Sequence, residues 1–255
     1  RDPLEACATR PAGRGSEGVP VIYDGQVEFC IDRYETTWGE YGDFQDGLAL
    51  APPTIPPACA GIIDDFEPLS YARPDVADIR QYPVGGVSWC QAATYCATVG
   101  KRLCGAIGAR GAEPLPPADV ADPTRSEWME ACATRSNRSY PYAQTQYDES
   151  ACNGMDGDGP VKSSVVGAYA TCKSAFEVYD LIGNIQEWED SCEPDPPGAT
   201  PGQRRETRCV LRGGAWSLGG SYQTCAFTSE WFKRSPVVDT DRVSQNGIRC
   251  CWDPE

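Results

Sequence analysis

From Val27 to Tyr34 the chain reads VEFCIDRY, an alternation of apolar and polar positions that predicts a strand leading into ETTWGEYGDF. The period changes at Ser88. There Ser88 followed three residues later by Gln91 forms a capping-box pattern, and QAATYCATVG predicts a helix that Gly100 stops, with Ala92, Tyr95, Cys96 and Val99 on its core side. Cys90 and Cys96 are six residues apart, about 9 Å along a helix axis and too far for a bond within the helix, so each expects a distant partner. SEWMEACA predicts a second short helix, capped by Thr124 or Ser126. In the last quarter VLRGGAWS predicts a strand with a close backbone approach at Gly213 and Gly214, and Tyr222 to Phe227 a further strand after the SLGGS turn. Between these elements lie aperiodic stretches: a proline-rich acidic run over 47–80, a Gly/Pro loop between Cys104 and Trp128, and a Gly/Asn/Asp-rich region over 140–167. No long helix and no internal repeat is visible. The pattern predicts an α+β class of short helices, short antiparallel strands and abundant loops. Residues 1–26 are expected to form an N-terminal arm tied down by Cys7, and 27–255 a single domain.

Cysteine changes this picture most. The 14 cysteines of the 255-residue chain are too many for an ordinary cytosolic protein, and their even number predicts a disulfide framework made in an oxidising compartment: secreted, periplasmic or on the cell surface. No CxxC pair and no histidine occur, which disfavours a zinc ribbon and any haem, blue-copper or zinc site built on His. A formal net charge of -15 repels phosphate backbones and anionic lipid, so nucleic acid is not expected as a partner, whereas divalent cations are compatible. No run of 18 apolar residues exists, so no transmembrane segment is expected. The opening Arg1-Asp2-Pro3 is what a mature product trimmed of its signal segment would show.

Several segments in order resemble one known family. Phe29-Cys30-Ile31-Asp32-Arg33-Tyr34-Glu35-Thr36-Thr37, Pro83-Val84 through Val87-Ser88-Trp89, Ala93 to Cys96, Gly100-Lys101-Arg102-Leu103 and Glu127-Trp128 resemble the first half of the formylglycine-generating enzyme (sulfatase-modifying factor) superfamily. Tyr140-Pro141-Tyr142, Val178 through Trp188, Leu211-Arg212-Gly213-Gly214-Ala215-Trp216 and Gly247-Ile248-Arg249-Cys250 resemble its second half, so the resemblance runs over roughly 27–252. It implies a loop-rich, disulfide-rich α+β fold related to C-type lectins, often stabilised by calcium. Members range from copper- and iron-dependent enzymes to non-catalytic binding and display domains, so the site must decide among them.

In the formylglycine-generating enzymes two cysteines after the Arg-Gly-Gly strand bind copper(I), a soft ion suited to thiolates. By that resemblance Cys225 matches the second cysteine, and Gly220 stands in place of the first. The segment ending in Cys250 and Cys251 is expected beside the Arg-Gly-Gly strand, which leaves Cys225 either bonded to one of them, with Cys225–Cys250 as the leading pairing, or forming an unusual thiolate pair. Iron chemistry of the sulfoxide-synthase kind would need histidines that the chain lacks. No hydrolase elbow, P-loop, dinucleotide fingerprint or HExxH motif is present, and paired acids such as Glu187 and Asp190 are ordinary in so acidic a chain.

The resemblance also implies a calcium loop with side chains from Asp180 and Glu187 and carbonyls from Gly183 and Ile185; calcium takes six to eight hard oxygens of these two kinds. A second loop offers Asn153, Asp156 and Asp158. Locality suggests disulfides Cys104–Cys132, Cys152–Cys172 and Cys192–Cys209, each stabilising by about 3 kcal/mol in a chain-entropy estimate. The expectation is a non-catalytic extracytoplasmic binding or structural domain stabilised by calcium and disulfides. Trp216, Tyr222, Phe227, Trp231 and Phe232 would face a protein or glycan ligand. The alternative is a divergent cysteine-dependent oxidoreductase using copper at Cys225 with Cys250 or Cys251.

Overall fold

The computed structural model describes residues 3–7, 17–63, 65–109, 113–142, 145–157, 162–234 and 244–254. After a one-turn helix α1 (Pro3–Ala6), strands β1 (Gly18–Tyr23) and β2 (Gln26–Asp32) form a hairpin. Regular structure therefore begins inside the segment expected as an arm, because β1 pairs along the full length of β2. Helix α2 (Trp38–Gly47) starts at Thr37, whose side chain and that of Glu40 form a capping box. Helix α3 (Trp89–Thr98) starts at Ser88 as the sequence predicts: Ser88 Oγ accepts from Gln91 N at 3.2 Å and Ser88 N donates to Gln91 Oε1 at 2.8 Å. Strand β3 (Arg102–Leu103) follows, then helix α4 (Glu127–Ala133), for which Ser126 rather than Thr124 is the cap.

The second half supplies β4 (Gln186–Cys192), a short helix α5 (Pro201–Arg205), β5 (Arg208–Arg212), β6 (Thr228–Lys233), β7 (Asn246–Gly247) and β8 (Cys250–Trp252). Two four-stranded sheets result, in the orders β1-β2-β8-β3 and β6-β5-β4-β7, all neighbours antiparallel except β4 with β7. The expected strand over Tyr222 to Phe227 is instead a 3-10 turn at Gly220–Tyr222 followed by further turn, and β6 starts only at Thr228. The alternation misleads there because the amide of Gln223 is buried in the turn, donating to the carbonyl of Leu218 at 2.9 Å.

Seven disulfides use all fourteen cysteines. Cys152–Cys172 and Cys192–Cys209 pair as locality suggests, and Cys7 is tied to Cys30. Cys104–Cys132 and Cys225–Cys250 do not form: Cys104 bonds Cys251, Cys96 bonds Cys250 and Cys132 bonds Cys225. Strand pairing explains the correction. Cys250 and Cys251 are consecutive on β8 and point to opposite faces, so one meets α3 and the other the chain just beyond β3. Cys250 accordingly lies in the cluster of Tyr41, Trp89, Tyr95, Trp188 and Leu211, and Cys251 in the cluster of Phe29, Ile31, Trp128 and Leu181.

Candidate functional site

Ionisable residues inside apolar motifs meet at the junction of the two sheets. The segment from β7 to β8 crosses from one sheet to the other and carries Arg249, which is fully buried. Its guanidinium grips both carboxylate oxygens of Glu187 on β4 at 2.6 to 2.9 Å and donates to the carbonyls of Asp32 and Tyr179 at 2.8 and 2.7 Å. Trp128 Nε1 donates to the same carboxylate at 2.6 Å. Opposite Glu187 in the β4–β5 register stands Arg212, also fully buried, 3.5 Å from Glu189 and 4.6 Å from the centre of the Trp128 ring. Arg212 donates to the carbonyls of Val120 and Cys225, fixing the chain after the Gly-Gly turn. Each buried charge has a counter-charge or hydrogen bonds, the condition under which burial is tolerated. Gly213, at φ +83°, is required at that turn: a Cβ would lie 2.3 Å from the carbonyl oxygen of Leu181.

The loop before β4 is organised by Asn184. Its Oδ1 accepts from Asn153 Nδ2 at 3.1 Å and Ser164 N at 2.8 Å, and its Nδ2 donates to Glu35 Oε2 at 2.6 Å, while Ile185 N donates to Glu35 Oε1 at 3.1 Å. Glu35 lies in a motif that carries the resemblance but has no role of its own there, and nothing in its local sequence, Arg33-Tyr34-Glu35-Thr36-Thr37, marks it. Burial, then the charges of Asp180 and Glu187, push the Glu35 carboxyl well above the usual range, and burial lifts Asp180 to about 7. Three buried carboxylates thus face the single guanidinium of Arg249.

That excess of negative charge fits a cation, although the expected donors are not equally available. Asp180 Oδ2 accepts from Gly167 N, and Oδ1 receives no hydrogen bond from any described residue. Both oxygens of Glu187 are taken by Arg249 and Trp128. Among the described residues no three acidic or thiol side chains converge as metal ligands, so a calcium ion here would rest on Asp180 and the carbonyls of Gly183 and Ile185 more than on Glu187. At the second loop Asn153 Oδ1 is buried without a hydrogen-bond partner, while Asp156 is committed to Gly220 N at 2.7 Å and Tyr147 at 3.5 Å. Asp158 lies outside the described residues.

The place of the first copper cysteine is closed. A Cβ on Gly220 would sit 2.8 Å from the ring of Tyr147, nearer than side chains approach without displacement. Cys225, Cys250 and Cys251 belong to three different disulfides and all are buried, so they form neither the leading pairing Cys225–Cys250 nor the alternative thiol pair. Around this spot aromatic rings collect. Tyr222, 49% exposed, meets Phe227 edge-on at 5.4 Å, while Tyr140 stacks on Tyr142 and lies 6.2 Å from Tyr147. Trp216 stands apart, half-buried in a hollow of about 160 Å³ with Lys162 and Asp75. Trp231 and Phe232 lie on β6, and their side chains are outside the described part.

The structure of PvdO from Pseudomonas aeruginosa superposes with a TM-score of 0.57 at 18% identity, covering 96% of this chain and 97% of that one. CarF superposes with a TM-score of 0.58 at 18% identity, over 93% of each chain. In sequence, the hercynine oxygenase of Mycobacterium tuberculosis is 30% identical over 190 residues, 67% of this chain and 37% of that protein. The formylglycine-generating enzyme of Bos taurus is 26% identical over 234 residues, 83% of this chain and 54% of that protein. The chain therefore spans from about a third to about half the length of these two curated relatives. Residues 22–254 match the sulfatase-modifying factor enzyme 1-like domain, and on that match the chain belongs to the family that includes the formylglycine-generating enzymes.

Proposed function

We propose that this chain is a non-catalytic, extracytoplasmic binding domain that keeps the family scaffold and has exchanged the copper site for an aromatic contact face. The observation that carries this reading is the packing of the Tyr147 ring against Gly220, next to a Cys225 held in a buried disulfide with Cys132. No free thiol remains at that face among the described residues, whereas Tyr222, Phe227, Tyr140 and Tyr147 offer large, stiff surfaces, the tyrosines with polar tips, suited to a protein or a glycan. Seven disulfides support an oxidising compartment, and among the described residues no helix is long and apolar enough to cross a membrane. The test is thiol titration with intact mass on unreduced protein, followed by copper(I) competition against a chromophoric chelator. Zero reactive thiols and no copper uptake are expected; thiols at Cys132 and Cys225 together with bound copper would restore the oxidoreductase reading.

Calcium belongs to the same proposal as a structural ion beside Asp180, where it would offset the surplus of buried carboxylate. Added calcium is expected to raise the thermal midpoint and chelation to lower it, with Asp180→Asn abolishing the response. A midpoint indifferent to both treatments would leave the loop to the Glu187–Arg249 pair and the Asn184 network alone.

A further inference from the structure

On another part of the surface, sharing no residue with the aromatic face, lies a cleft of about 640 Å³ between the 56–58 turn, the 114–117 loop and the end of β4. Six of its lining residues are prolines, while Trp89, only 4% exposed, contributes little surface: its Nε1 is used on the carbonyl of Glu189 at 2.9 Å and Arg234 stands over its ring at 5.4 Å. Proline rings are rigid and carry no N–H, so these walls offer apolar contact and no main-chain donors. The charges in the cleft have one sign in surplus. Asp195 grips Arg234 at 2.9 and 3.1 Å and also accepts from Thr207, which uses up the one cation in the lining. Asp190 and Glu193 remain, and neither carboxylate receives a hydrogen bond or ion pair from a described residue. Two further guanidiniums lie outside the lining and are engaged elsewhere: Arg204 reaches the carbonyls of Pro57, Ala58 and Ala60 at 3.5, 3.4 and 2.8 Å, and Arg102 is held by Glu127 and Asp253.

We infer that this cleft binds a basic peptide segment, with an arginine or lysine side chain laid along the proline walls and its cationic head on Asp190 and Glu193. The chemistry selects the class. An anionic ligand would meet two unpaired carboxylates, and a neutral one would leave them uncompensated on desolvation. The volume lies within the range of clefts that enclose ligands much larger than one side chain, and stiff walls reduce the ordering cost for an extended segment read through its side chains. Burial raises the carboxyl of Asp190 to about 6 despite the opposing charges of Arg102 and Arg234, neither of which bonds to it.

The experiment is calorimetric titration of the intact protein with acetyl-Gly-Arg-Gly-amide, with acetyl-Gly-Gln-Gly-amide and free n-butylguanidinium as comparators. Saturable binding of the arginine peptide is expected, weaker by at least about ten-fold with the glutamine peptide and with D190N. E193Q, at an exposed position, is expected to weaken binding less and serves as a second variant should D190N fail to fold. Equal affinity of the arginine and glutamine peptides, binding untouched in both variants, or no saturable binding of any probe would overturn the proposal. Butylguanidinium binding as tightly as the peptide would overturn the assignment to a peptide and leave a small-cation site.

Discussion

Arg249 is fully buried and makes five polar contacts within 3 Å, three of them to Glu187. Removing one partner of such a pair strands the other charge in a dry environment. Arg249→Met is therefore expected to destabilise the fold by about 3–5 kcal/mol, read as a lower urea midpoint at unchanged slope. The double variant Arg249→Met with Glu187→Gln should recover part of that loss, because the stranded carboxylate is gone; no recovery would mean that the main-chain contacts to Asp32 and Tyr179 carry the effect. These roles were only half legible in the sequence. Arg249 and Glu187 stood in the quoted motifs, but their pairing is set by the crossing of the β7–β8 segment between sheets, and no local spacing encodes that. Glu35 was hidden for the same reason: its hydrogen-bond partners Asn184 and Ile185 lie about 150 positions away.

At the scale of elements, β4 concentrates the acid chemistry. Glu189 is fully buried beside Arg212 and Ser126, and its carboxyl is lifted to about 7, first by burial; Asp190 is lifted to about 6 by the same cause. A carboxyl raised in the folded state binds its proton more tightly than in the unfolded chain. Its contribution to stability is complete below the ordinary carboxylate range and is lost as pH rises through 6 to 7. The thermal midpoint is thus expected to be higher at pH 5 than at pH 7.5, on the order of 5 °C for a domain of this size, and E189Q should flatten the difference. A midpoint that rises with pH would contradict the assignment. Legibility at this scale followed locality. The capping box at Ser88 and the pairs Cys152–Cys172 and Cys192–Cys209 are written within about 20 residues and were readable. The turn over Tyr222 to Phe227 was misread as a strand because its spacing mimics alternation while Gln223 and a buried Cys225 dictate the path.

For the whole molecule, the disulfides divide into local clips and long-range ties. Cys192–Cys209 spans 17 residues, whereas Cys96–Cys250 and Cys104–Cys251 span 154 and 147. In the chain-entropy picture the short loop is worth about 3 kcal/mol and a long one about 5. Because Cys104–Cys251 closes nearly the same loop, the double variant Cys96→Ala, Cys250→Ala should lose no more than Cys192→Ala, Cys209→Ala in urea unfolding, and the full cost of the long loop, about 2 kcal/mol beyond the short clip, is expected only when Cys104 and Cys251 are replaced as well. A larger loss from the first long tie alone would place its benefit in native packing rather than in the unfolded chain.

Two neighbouring sulfurs on β8 are each promised to a different core, so the last strand is a fork with a right and a wrong tine. Exchanging the partners, Cys96 to Cys251 and Cys104 to Cys250, is a slip of one residue, and on a strand that slip turns every side chain to the opposite face. The polypeptide must keep Cys96 and Cys104 uncommitted for nearly 150 residues of synthesis, until both claimants exist. Maturation of this protein is therefore a proofreading problem: its yield should depend on an isomerase able to reopen the swapped bonds, and far less on the speed of the first oxidation.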